Sequence, residues 1–232
     1  MQGFEFFCPT KIVCGAHALD KLPGELESRG VTHPLVMTDA GLVKLGVAAK
    51  LTDVLDAAGV AYEVFDQVPP DSSMDVVNEV ARLYTERGCD GFVAIGGGSV
   101  IDTTKGAAAS LACEGVDFAT LQGSEILKAD LPPLIAVPTT AGTGSEVTLV
   151  AVVADTHKHA KLSFTSYKLV PHAAATGSWP SAAARSSTPQ RARPPRLPAR
   201  AWTSPRCRAR RSSTPTCRHS SPCPRRPAPA AR

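Results

Sequence analysis

Residues 34–140 alternate short apolar runs with longer stretches whose apolar residues repeat at helical spacing. The runs are PLVMTD, AYEVFD, GFVAIGG and LIAVPTT, and the helical stretches between them are 42–58, 73–86 and 99–112. Strands that lack polar alternation are typical of a parallel sheet covered by helices on both faces. The pattern therefore predicts an α/β fold built on a doubly wound, Rossmann-like parallel sheet.

Glycine and proline residues mark where the predicted helices stop. Gly59 and Gly88 each follow a helical stretch, and Pro69 and Pro70 interrupt the chain between them. Glycine is the residue that most readily ends a helix, and proline cannot continue one. Before residue 34, the run KIVCG at 11–15 predicts an edge strand, and residues 18–28 predict a further helix.

The composition changes abruptly near residue 174. Residues 1–174 contain 12 Lys and Arg and 21 Asp and Glu, whereas residues 175–232 contain 13 Arg and neither Lys nor acid. Pro, Arg, Ser and Ala make up 44 of those last 58 residues. The remaining residues include too few large apolar side chains to offset the conformational entropy that the tail would lose on ordering. We therefore predict one α/β domain over 1–174 and a disordered, low-complexity Pro/Arg-rich tail over 175–232.

The net charge of +4 arises from this tail, so it gives no evidence that the folded part binds nucleic acid. A nucleic-acid-binding arm is the less favoured alternative, because only Trp179 and Trp202 accompany the arginines and no RGG or SR repeat is present. Seven cysteines, an odd number without CxxC spacing, favour a reduced, cytoplasmic setting. The longest apolar-rich run, 147–154, is too short to span a bilayer, and we expect no membrane insertion.

A glycine-rich turn connects the apolar run GFVAI to the helical stretch that follows. It consists of Gly96, Gly97, Gly98 and Ser99. Because glycine has no side chain, the backbone can approach a pyrophosphate, which then lies against free N–H groups and the positive end of the helix dipole. The alternative is a plain tight turn between strand and helix.

Two further polar segments follow predicted strands. The hydroxyl-rich loop 139–145 follows LIAVP, and Asp39 follows PLVMT. In an open α/β sheet, ligands collect at the carboxyl ends of the strands, so these segments and the glycine turn are expected to line one crevice. Asp39 could accept hydrogen bonds from a ribose diol, or it could cap the next helix.

Three motifs together resemble the iron-containing (group III, metal-dependent) alcohol dehydrogenase family. They are TDAGL at 38–42, GGGSVID at 96–102 and PTTAGTGSE at 138–146, and the resemblance covers nearly all of residues 1–174. It implies the N-terminal, cofactor-binding domain of an NAD(P)-dependent enzyme. The expected substrate is a small alcohol or aldehyde, and a homo-oligomer is compatible with the family.

The resemblance also implies which residues contact the cofactor. Asp39 would bind the ribose and favour NAD over NADP, because a carboxylate repels a 2′-phosphate, and Lys161 would match the family's cofactor-contacting lysine. Asp71 stands where the family usually has Asn, and this departure predicts weaker cofactor binding. Gly97, Gly98 and Ser99 of the glycine turn that begins at Gly96 would bind the pyrophosphate, with Asp102 opening the helix nearby. The residues implied on the nicotinamide side are Thr139, Thr140, Thr143 and Thr148.

The family's reaction also requires a metal, Fe²⁺ or Zn²⁺, held by one Asp and three His of a helical C-terminal domain. Residues 175–232 do not resemble that domain. His157 and His159 are interpreted as surface histidines, and Cys217, His219 and Cys223 lack neighbours that would orient them as ligands. We assign no metal ligand and no catalytic residue.

The tail is interpreted as frameshifted sequence. GC-rich DNA read in the wrong frame encodes mostly Arg, Pro, Ala and Ser, and residues 200–203, read one nucleotide earlier, permit Thr-Gly-Met-Asp, which resembles the family's first metal-binding signature. The resulting hypothesis is an NAD-dependent alcohol dehydrogenase that is truncated and catalytically incomplete. The alternative is a non-catalytic nucleotide-binding fragment.

Overall fold

The computed structural model describes residues 7–113, 123–124, 127, 129–156 and 160–177. The tail was expected to be disordered, and its residues from 178 on lie outside this part. The interpretations of His157, His159, Cys217, His219 and Cys223 also lie outside it. No described helix is long and apolar enough to cross a membrane.

In the described part of the chain, nine strands form two sheets. They are β1 (Lys11–Cys14), β2 (Pro34–Met37), β3 (Glu63–Phe65), β4 (Gly91–Gly96), β5 (Gly123–Ser124), β6 (Leu134–Pro138), β7 (Val150–Asp155), β8 (Ala160–Thr165) and β9 (Ala173–Thr176). The larger sheet has the order β1-β9-β6-β4-β2-β3, and every neighbouring pair is parallel. This confirms the predicted parallel sheet, with β1 at its edge.

Helices cover both faces of this six-stranded sheet. They are α1 (Leu22–Glu27), α2 (Ala40–Lys44), α3 (Val47–Ala57), α4 (Met74–Arg87) and α5 (Gly98–Ala112). Leu51 and Leu55 of α3 belong to the same buried cluster as Val93 of β4, whereas Ile101 of α5 shares a second cluster with Phe92. Neighbouring residues of β4 thus face opposite helical layers, which confirms the doubly wound arrangement.

Two boundaries differ from the prediction. The stretch 42–58 forms two helices rather than one, because Gly46 between α2 and α3 has a φ of 69°. This left-handed conformation ends a helix, and glycine adopts it without steric cost. At the other end of the domain, β9 continues to Thr176, two residues beyond the predicted boundary at Ala174.

A second sheet, which the sequence pattern did not predict, has the order β5-β8-β7. β7 and β8 pair antiparallel, and Val153 and Leu162 from these strands pack in one buried cluster with Met74 and Val77 of α4. β7 also packs along α5. Because β7 begins directly after the loop that follows β6, the second sheet holds the far end of that loop beside α5.

Candidate functional site

The main candidate site is a cavity of about 830 Å³ at the carboxyl ends of the parallel strands. The chain passes from β2 to β3 on one side and then returns to β4 on the other side of β2. Such a reversal of strand order leaves a crevice outside the strand ends. The lining comes from the segments that follow four strands: residues 39–42 and Leu45 after β2, 66–70 after β3, 97–100 after β4, and Thr139 and Thr140 after β6.

Gly97 and Gly98 form the floor of this cavity at the start of α5. Gly97 is the N-cap residue, with φ −81° and ψ −171°, and the helix that follows has 15 residues. The first N–H groups of a helix have no acceptor within it, and the helix dipole is positive there. The turn therefore presents free donors and partial positive charge to the cavity, which suits a phosphate or pyrophosphate group.

The glycine turn and the loop after β6 are in contact. A Cβ atom added to Gly97 would lie 3.0 Å from the Thr140 Oγ1 atom, and one added to Gly98 would lie 3.3 Å from Ser145 Oγ and 3.4 Å from Thr143 Cβ. The Thr139 N–H also donates a hydrogen bond to the Gly96 carbonyl, at 2.9 Å. The structure thus brings the two sequence-predicted loops into one crevice.

Asp39 lies where β2 ends, and both interpretations of this residue agree with its geometry. Its Oδ1 atom accepts a hydrogen bond from the Leu42 N–H at 2.9 Å, so the side chain caps α2. The residue also lines the same cavity as the glycine turn. A carboxylate in this position can accept hydrogen bonds from a diol while it caps the helix, because each carboxylate has about four acceptor positions.

Six of the predicted contact residues line the cavity, and five do not. The six are Asp39, Gly97, Gly98, Ser99, Thr139 and Thr140. Gly96 is the last residue of β4, and Thr143 contacts Gly98. Asp102 accepts a hydrogen bond from the Val152 N–H of β7, and the Thr148 carbonyl accepts one from Lys105 of α5. Lys161 lies on β8. The predicted cofactor contacts of all eleven residues stay predictions.

Lys161 pairs with Asp71 beside the cavity. The Lys161 Nζ atom donates a hydrogen bond to Asp71 Oδ1 at 2.8 Å, and this ammonium lowers the pKa of the Asp71 carboxyl. Asp71 directly follows Pro70 of the lining and has a φ of 54°. Asp and Asn tolerate this left-handed conformation better than other non-glycine residues, so the backbone here accepts either side chain.

Sequence reasoning missed two groups of residues. Residues 66–70 line the cavity, and their position directly after β3 could have indicated this by the same strand-end argument. Lys105 of α5 is 0 % exposed. Its position within the apolar helical stretch 99–112 was a signal that it is not a surface lysine.

The described residues fit a dinucleotide better than a metal ion. The glycine turn offers N–H donors for a pyrophosphate, and Asp39 offers an acceptor for a ribose in the same cavity. Among the residues that the structure describes, no group of three or more His, Cys, Asp or Glu side chains could hold a metal ion. We therefore assign metal ligands to none of the described residues.

Known proteins resemble this chain in sequence over the same region. A family model for iron-containing alcohol dehydrogenase matches residues 9–176. The 4-hydroxybutyrate dehydrogenase of Cupriavidus necator is 42% identical over 160 residues, which make up 68% of this chain and 41% of that protein.

Solved structures resemble it as well. An alcohol dehydrogenase from Oenococcus oeni has a TM-score of 0.70 and 35% identity, over 75% of this chain and 46% of that one. The sulfoacetaldehyde reductase from Bifidobacterium kashiwanohense, solved in complex with NAD+, has a TM-score of 0.66 and 29% identity, over 76% of this chain and 46% of that one. The chain therefore spans less than half the length of these relatives.

Proposed function

This chain belongs to the iron-containing alcohol dehydrogenase family, and from that premise we propose that residues 9–176 bind NAD for an oxidoreductase of small alcohols and aldehydes. The observation that carries the proposal is the cavity at the reversal of strand order, where a glycine turn and Asp39 face the same space. A pyrophosphate and a ribose need these two kinds of partner side by side. The related sulfoacetaldehyde reductase, solved with NAD+, supports the choice of cofactor.

The proposed binding mode assigns one part of NAD to each loop. The pyrophosphate lies against the first N–H groups of α5, with Gly97, Gly98 and Ser99 around it. The Asp39 carboxylate accepts hydrogen bonds from the adenosine ribose hydroxyls. A 2′-phosphate in that place would meet the same carboxylate, so the site favours NAD over NADP.

Thr139 and Thr140 hold the nicotinamide end in this proposal. Both residues line the cavity, and their hydroxyl groups can donate and accept hydrogen bonds. When bound, NAD accepts a hydride from an alcohol, and NADH returns one to an aldehyde. The loops of this chain hold and orient the cofactor, and no described residue is assigned a proton-transfer role or a metal. The alternative is a fragment that binds the nucleotide without catalysis.

Calorimetry of NAD binding to the whole chain tests the proposal, with Gly97→Ala as the site variant. The φ and ψ of Gly97 are open to alanine, so the added methyl causes no backbone strain; it would lie 3.0 Å from Thr140 Oγ1 and narrow the cavity between the glycine turn and the loop after β6. We expect saturable binding to the wild type and about tenfold or more weaker binding to the variant, which corresponds to about 1.4 kcal/mol. Absence of saturable NAD binding to the folded wild type would refute the proposal.

Gly24→Ala is the matched control. Gly24 lies within α1, and a Cβ atom added there meets no other atom within 4 Å. We expect this variant to bind NAD like the wild type. Equal weakening by both substitutions would show that the Gly97 effect is not specific to the cavity.

A turnover assay distinguishes the enzyme from the nucleotide-binding fragment. The chain is incubated with NAD, with Fe²⁺ or Zn²⁺, and with ethanol or 4-hydroxybutyrate, and NADH is followed by its absorbance. Metal-dependent NADH formation supports a catalytically complete chain. Saturable NAD binding without NADH formation supports the fragment.

A further inference from the structure

Lys105 is a charged side chain buried under the candidate site. It lies two turns into α5, and 0 % of its surface is exposed. Its Nζ atom donates hydrogen bonds to the carbonyl oxygens of Thr148, at 2.7 Å, and Val150, at 3.0 Å, and lies 3.5 Å from Thr148 Oγ1. All three of these oxygens belong to the segment that leads from the loop after β6 into β7.

The loop 139–148 is therefore attached to the β4–α5 unit at both ends. At its start, the Thr139 N–H donates to the Gly96 carbonyl. At its end, the Thr148 carbonyl accepts from Lys105. Between these two points, the loop contacts Gly98. The same strand and helix thus position the glycine turn and the loop that faces it.

Acidic groups beside Lys105 compensate its charge. Asp102 and Glu146 both interact with it electrostatically, and Asp102 also accepts a hydrogen bond from the Val152 N–H at 3.2 Å. Burial still lowers the pKa of Lys105 to about 8. An apolar side chain of similar length would avoid this desolvation cost, so packing alone does not account for a lysine here. The hydrogen bonds to the loop do.

We propose that Lys105 is a positioning residue that fixes the nicotinamide side of the NAD site by tying the loop 139–148 to α5. The inference rests on the proposed function, because the loop has this role only if the cavity binds NAD. Lys105 itself does not line the cavity and acts through Thr148 and the loop. The pyrophosphate side, at the start of α5, does not depend on it.

Two probes separate these sides of the site. ADP contains adenosine and a pyrophosphate but no nicotinamide, whereas NAD contains all three. Lys105→Met replaces the ammonium by an apolar group of similar length. By calorimetry, we expect NAD binding to weaken about tenfold or more, and ADP binding to change less than about twofold. Lys50→Met, at an exposed lysine of α3, is the matched control and should leave both affinities unchanged.

The other outcomes overturn the proposal in distinguishable ways. If wild-type chain binds ADP but Lys105→Met leaves NAD affinity unchanged, or weakens NAD and ADP equally, Lys105 does not position the nicotinamide side. If folded wild-type chain binds neither NAD nor ADP, the proposed function itself fails. Lys105→Gln, which keeps two N–H donors, is judged by the same criteria if Lys105→Met does not fold. Loss of folding in both variants identifies Lys105 as a determinant of folding and overturns the positioning role.

Discussion

Gly96 and Val100 lie so close together that a Cβ atom on Gly96 would be 2.5 Å from Val100 Cγ2 and 2.6 Å from Val100 Cβ. Gly96 is the last residue of β4, and Val100 is in the first turn of α5. Their contact sets how closely the start of the helix approaches the end of the strand. The adjacent Gly97 has a different task, because it faces the cavity.

Gly96→Ala should therefore destabilise the fold by overpacking. The helix backbone fixes the Val100 Cβ atom, which cannot move aside as the end of a flexible side chain would. We expect the free energy of unfolding in urea to fall by about 1–3 kcal/mol. Gly24→Ala, which meets no neighbour, is the control. Equal unfolding curves for Gly96→Ala and wild type would contradict the packing argument.

The larger sheet was predictable because its central strands are buried on both faces, and each therefore appears as an uninterrupted apolar run. The pair β7–β8 was not predictable, although buried and more exposed residues alternate along both strands. In β7 the buried residues Ala151 and Val153 alternate with Val152 and Ala154, which are also apolar. The outward positions thus conceal the period of two on which a strand prediction rests.

For the candidate site, the position of polar residues at strand ends predicted Asp39, the glycine turn, Thr139 and Thr140. That argument uses only local sequence and the geometry common to parallel sheets. It could not identify the bonding of Lys105, because the carbonyls of Thr148 and Val150 lie 43 and 45 residues further along the chain. Contacts of this range depend on the packing of α5 against β7, a strand that the pattern did not reveal.

Asp39→Asn should relax the choice between NAD and NADP. Asparagine caps a helix about as well as aspartate, so α2 keeps its first hydrogen bond and the stability should change little. Loss of the negative charge removes the repulsion of a 2′-phosphate. We expect the ratio of the NADP Kd to the NAD Kd, measured by calorimetry, to fall about tenfold.

Asp39→Ala removes both the helix cap and the negative charge, whereas Asp39→Asn removes only the charge. It should relax the cofactor preference in the same way and also cost about 1 kcal/mol of folding free energy. A wild-type chain that binds NADP as tightly as NAD would show that Asp39 does not select the cofactor.

Asp71→Asn should strengthen NAD binding. In the wild type, Asp71 holds Lys161 by an exposed ion pair beside the cavity, and asparagine releases this lysine while tolerating the same backbone φ. Exposed ion pairs are weak, so we expect an increase in affinity of about two- to fivefold.

Two further variants test this account of Asp71. In a Lys161→Met background, Asp71→Asn should have no effect on the Kd for NAD. Asp130→Asn, which removes a comparable exposed ion pair with Lys168 away from the cavity, should leave NAD binding unchanged. A gain that persists without Lys161 would mean that the new amide itself contacts the cofactor.

His172 should make the fold sensitive to mild acid. Its Nδ1 atom accepts a hydrogen bond from the Leu134 N–H at 3.2 Å, and partial burial together with the nearby Arg29 guanidinium lowers the pKa of the imidazole. The folded state therefore favours neutral histidine. Below about pH 6.5, the unfolded chain takes up a proton more readily than the folded one, so stability falls as the pH falls through this range.

We expect the thermal midpoint to drop between pH 7.5 and 5.5, and to drop less in His172→Asn, whose side-chain oxygen can accept the Leu134 hydrogen bond without titrating. The comparison between the two chains isolates His172, because every other titrating group is common to both. Identical pH profiles would show that protonation of His172 is not linked to folding, and that the hydrogen bond between β6 and the start of β9 withstands it.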